Sequence, residues 1–79
     1  MAKQKIDAPR ASAPHLELHG NGELHIDGCL GVRAYGEEEI RLDLGDMVLV
    51  IVGADLTMDT LRLEEAAVTG RIASLSFVN

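Results

Sequence analysis

Three histidines, His15, His19 and His25, fall within eleven residues, with Glu17, Glu23 and Asp27 interleaved among them. Imidazole nitrogens beside carboxylates are the ligand set of zinc, nickel and related divalent ions. The alternation of the segment places all six side chains on the outer face of one hairpin. Same-face neighbours along a strand are about 7 Å apart, wide for tetrahedral ligation. A solvated face of alternating charge is the plainer account, so no metal site is assigned. A small metal-responsive binding module using His15, His19 and His25 stays as the alternative function. Cys29 sits between Gly28 and Gly31. As a nucleophile it would need a base and an oxyanion pocket, yet His25, its nearest histidine, points outward. A small buried structural thiol fits better. Ser74 and Ser76 lack a Gly-x-Ser-x-Gly elbow. Glu37-Glu38-Glu39 and Glu64-Glu65 fall in turn-like positions, where solvated charge is the default. Gly20-x-Gly22 joins two strands and opens no helix, so it is no nucleotide loop. No catalytic residue and no cofactor site follow, and the chain reads as non-enzymatic.

Composition narrows the classes further. The chain has 79 residues, 47% of them hydrophobic, with two aromatics and one cysteine. At this size one domain is the limit, and its core is marginal without disulfides, a metal or association. The single cysteine removes intrachain bridging and favours a reducing compartment. The formal charge is −6, divided unevenly. Three basic residues face one acidic residue up to Pro14, whereas four face twelve beyond it. An acidic body almost without aromatics is a poor nucleic-acid binder. Its longest apolar run, Met47 to Val52, is far below the ~20 residues of a membrane-spanning helix. Met1 to Pro14 has positive charges but no apolar stretch, so no signal peptide is expected.

The elements that must position these residues are short strands. Residues 1–14 hold both prolines and lack apolar periodicity, which predicts a disordered basic tail; a single β domain is expected over 15–79. His15–His19 and Glu23–Asp27 alternate polar and apolar residues around Gly20-Asn21-Gly22, a strong hairpin signal. Keeping the leucines on one face pairs Leu18 with Leu24 and Leu16 with Ile26. His19 then opposes Glu23, Glu17 opposes His25, and His15 opposes Asp27. A weaker strand over Gly31–Tyr35 and an alternating one over Glu39–Leu44 follow. Gly53-Ala54-Asp55 reads as a turn. Leu56–Met58 and Leu61–Leu63 read as short strands whose phase slips at Asp59-Thr60, with a helix over 54–67 as competitor. Ala66, Val68, Gly70 and Ile72 share a face that Leu75 and Phe77 leave, which predicts a bulge or bend near Ala73-Ser74. The fold expected is all-β, a small antiparallel meander, roll or sandwich of about seven or eight short strands.

Met47, Val48, Leu49, Val50, Ile51 and Val52 form a strand that is apolar on both faces, and each face needs cover. Either the other strands roll over it, or a second copy or partner covers one side. Association is the preferred answer for so short a chain, which makes these six residues the expected interaction surface and the protein a homo-oligomer.

The ordered series Gly20-x-x-Glu23-Leu24-x-Ile26-x-Gly28, Val32-x-x-Tyr35, Glu37-Glu38-Glu39-Ile40-x-Leu42, Gly45-x-Met47-x-Leu49, Gly53-x-x-Leu56-x-Met58 and Gly70-x-Ile72-x-x-Leu75-x-Phe77 resembles the YabP/YqfC sporulation protein family. The likeness spans nearly everything after Pro14 and is closer to the YqfC side between Ile26 and Ile40. The resemblance implies a non-enzymatic protein of the mother-cell cytoplasm in an endospore former, placed towards the forespore surface and serving spore coat or cortex assembly. It also implies a membrane-associated sporulation protein as partner. The family has no catalytic motif to carry over. Its usual longer leading segment is replaced here by the basic Ala/Pro tail.

Overall fold

A computed structural model of the chain describes residues 14–79; the expected tail, Pro14 apart, lies outside them. The described residues form six strands and no helix: β1 (His15–His19), β2 (Glu23–Asp27), β3 (Gly31–Ala34), β4 (Glu39–Asp43), β5 (Val48–Arg62) and β6 (Glu65–Val78). All pairings are antiparallel within one sheet of order β1-β2-β6-β5-β4-β3. The all-β expectation holds.

The β1–β2 register is the expected one at every pair, from His15↔Asp27 to His19↔Glu23. Two further expectations need correction. There are six strands where seven or eight were expected, and Gly53-Ala54-Asp55 is not a turn but lies inside the fifteen-residue β5. The competing helix over 54–67 is absent too, since that stretch is strand apart from the turn at Leu63-Glu64. The phase slips that suggest turns are bulges in a continuous ladder. One lies between Ala54 and Thr57, where Asp55 takes φ 55°, and one between Met58 and Thr60, which leaves Asp59 unopposed. A third gives β6 one extra residue, Ala73, and returns Leu75 and Phe77 to the inner face opposite Ile51 and Leu49. An extra residue bends a strand and tightens its twist.

Those bends let one sheet enclose its own core. Short hairpins add to opposite sides of the long β5–β6 hairpin: β1–β2 beside Glu65–Thr69, and β3–β4 beside Val48–Val52. Leu24, Ile26, Ile40, Leu42, Leu49, Ile51, Leu56 and Val68 are each at most 1% exposed. A flat single sheet cannot bury one face so completely, so the two halves curl over each other as a roll. Each such side chain contributes about 1.5–3 kcal/mol through burial. The strands cross most closely at two glycines. A Cβ on Gly53 would lie 2.0 Å from the Arg71 carbonyl oxygen, and one on Gly70 2.6 Å from that of Asp55.

Candidate functional site

The histidine hairpin presents its side chains as expected but gathers no ligand set. His25 Nε2 lies 2.9 Å from a Glu23 carboxylate oxygen, and His19 Nε2 is 3.7 Å from one of Glu17. The His19 and His25 rings meet edge to face, 5.3 Å between centroids. Among the described residues no three His, Cys, Asp or Glu side chains are arranged to hold a metal ion. These pairs are half exposed, and such ion pairs contribute about 0–1 kcal/mol. Beside them an open groove of about 340 Å³ is lined by Glu17, His25, Asp27, Thr60, Arg62 and Glu65 among others. It mixes both signs of charge along the outer surface.

Cys29 is a free, buried thiol in the β2–β3 connection, 3.5 Å from the Gly31 carbonyl oxygen. Burial pushes its pKa up, the Gly31 contact opposes this, and the nearby Asp43 charge adds to the rise. Fewer thiolates then exist at neutral pH, and the thiolate is the nucleophile. Native protein is therefore expected to react slowly with a maleimide, with a burst once denatured; equally fast labelling in both states would contradict this burial. The acidic turn residues have main-chain work: Glu38 and Glu37 carbonyl oxygens accept from the Gly53 and Leu56 N–H groups at 3.0 and 2.9 Å. The Glu64 carbonyl accepts from Gly28 N–H at 2.8 Å, tying the β5–β6 turn to the β2–β3 connection.

Met47 to Val52 divides by face. Leu49 and Ile51 are fully buried under the chain's own roll, and Met47 packs against the same core. Val48, Val50 and Val52 point the other way, with Val78, Ser76 and Ser74 of β6 opposite them. Val50 is buried between its neighbours Arg41 and Ser76, whereas Val52 is 36% and Val78 47% exposed.

The same pairings fix which strand edges stay open among the described residues. β1 carries Glu17 and follows Pro14, and β3 is four residues long, with Arg33 and an irregular register. β5 beyond Val52 is broken by bulges and carries Asp55, Asp59 and Arg62. β6 differs. Its outer edge is covered through Ile72, whose N–H donates to the Asn21 carbonyl at 2.9 Å and whose carbonyl accepts from Asn21 Nδ2 at 3.4 Å. Beyond it Ala73–Val78 pairs only with β5, holds a continuous register from Ser74 to Val78, and contains no charged residue and no proline. Here Phe77 is 54% exposed on the inner face. The sequence signal for this edge is a run without charge from Ile72 to Asn79.

The model of the YabP family matches residues 10–79 of this chain, most of its length. The chain belongs to the YabP family. Membership ties it to sporulation, and the YabP family is not known as an enzymatic one. No curated protein matches the chain. No helix among the described residues is long and apolar enough to cross a membrane. In this YabP-family chain the described residues offer apolar surface and an open strand edge.

Proposed function

We propose that this YabP-family chain is a non-enzymatic structural component of spore coat or cortex morphogenesis. It acts in the mother-cell cytoplasm at the forespore surface, through self-association or by binding a membrane-associated sporulation protein. The observation that carries this reading is the family match over residues 10–79. Geometry supports it: Met47 to Val52 fills the core with one face and leaves Val48 and Val52 partly exposed on the other, in a strip shared with β6. Scaffolding needs contact surface and no pocket, and contiguous exposed apolar area is where such contacts form.

Removal of the protein from a sporulating host tests the reading. Spores lacking it are expected to lose lysozyme resistance if the coat is affected, or heat resistance if the cortex is. Spores of full resistance in both assays would refute it.

A further inference from the structure

From the open edge of β6 we infer a specific contact: Ala73–Val78 pairs antiparallel with the same segment of a second copy, about a twofold axis at Ser76. The inference rests on the assembly reading above and names its surface. Natural edges are blunted by charge, proline, shortness or bulges, because an unpaired row of N–H and C=O groups recruits other strands. The β1, β3 and β5 edges each carry at least one of these devices, and Ala73–Val78 carries no charge and no proline and holds one register from Ser74 onward.

The occupant follows from charge and register. Any strand from an acidic surface would bring carboxylates against this edge, but a copy of Ala73–Val78 brings none. Centred on Ser76, the pairing sets Leu75 opposite Phe77 of the second copy, and Ser74 opposite Val78. Opposed residues in an antiparallel pair share a face. Leu75 and Phe77 both belong to the inner face, so the join covers the half-exposed Phe77 twice and extends one apolar surface across two molecules. The stretch fits without displacing the Asn21 contacts that close the edge at Ile72.

Full-length wild type, followed by light scattering coupled to size exclusion, is expected to move from monomer to dimer as concentration rises into the high micromolar range. Ser74→Lys/Ser76→Lys sets like charges across the axis and is expected to weaken association about ten-fold or more. Both serines are exposed, and a thermal melt confirms folding. Thr57→Lys, exposed and away from Ala73–Val78, should leave association unchanged. Independently of that melt, Ser76→Cys places two thiols opposite each other at about 4.5–5.5 Å between Cα atoms, within the span of a disulfide. Mild oxidation should cross-link it well ahead of a Thr57→Cys control, and the native Cys29 is 3% exposed. A monomer at all concentrations, undiminished association of the double-lysine variant, or Ser76→Cys cross-linking no faster than the control would each overturn the contact. Spore resistance reads the broader function separately, so either result can fail while the other stands.

Discussion

Gly70→Ala is expected to cost about 2–6 kcal/mol of folding free energy, a large share of the stability of so small a domain. Two effects add. Gly70 has φ 132°, a conformation L side chains rarely adopt, and such strain costs about 1–3 kcal/mol. The added methyl would also meet the Asp55 carbonyl oxygen at 2.6 Å and Leu56 Cα at 2.9 Å, both main-chain atoms. Overpacking against atoms that must shift together adds about 1–3 kcal/mol. Domains of this size rarely start from more than about 3–5 kcal/mol. Gly31→Ala is the control, since its Cβ meets nothing within 4 Å and its φ is unexceptional; urea titration should place it near wild type. Equal midpoints for the two variants would mean that β5 and β6 do not cross as described.

A second large loss is expected for Ile51→Ala, about 2–5 kcal/mol from lost transfer energy and the cavity left behind. Ile51 is 0% exposed, whereas its neighbour Val52, at 36%, points outward. Val52→Ala should therefore change stability by less than about 1 kcal/mol. Urea titrations of the two variants read the facing of β5 directly. Reversed magnitudes would put the strand one residue out of register, which exchanges every side chain between faces.

How far such facing is legible in the sequence depends on the element. The β1–β2 hairpin is readable down to its pairs because strict alternation and Gly20-Asn21-Gly22 act over a few residues. The bulge at Ala73 is legible for a related reason: Ile72 and Leu75 are three residues apart, and a strand keeps both on one face only by inserting an extra residue between them. In β5 the reading fails. Gly53-Ala54-Asp55 has turn chemistry, but the glycine is needed where the Arg71 carbonyl crosses, and Asp55 takes positive φ within a bulge. The real turn, Leu63-Glu64, has neither glycine nor asparagine, and Glu64 adopts φ 61° itself. Of the candidate surface, the apolar character of Met47 to Val52 is plain from composition alone. Which half of it the chain covers depends on the roll, and which strand is left at an edge depends on long-range pairing; neither leaves a period in the sequence.

The three blunted edges bear on how far assembly can proceed. A contact that uses the same patch on both molecules is closed once two have joined. With β1 preceded by Pro14 and carrying Glu17, β3 four residues long, and β5 bulged and charged, a pair joined through β6 would present no second edge of that kind among the described residues. Its valence through strand pairing would then be one. A chain paired in this way would make a two-headed adaptor and not a fibre, and any lattice built from it would take its remaining links from other molecules.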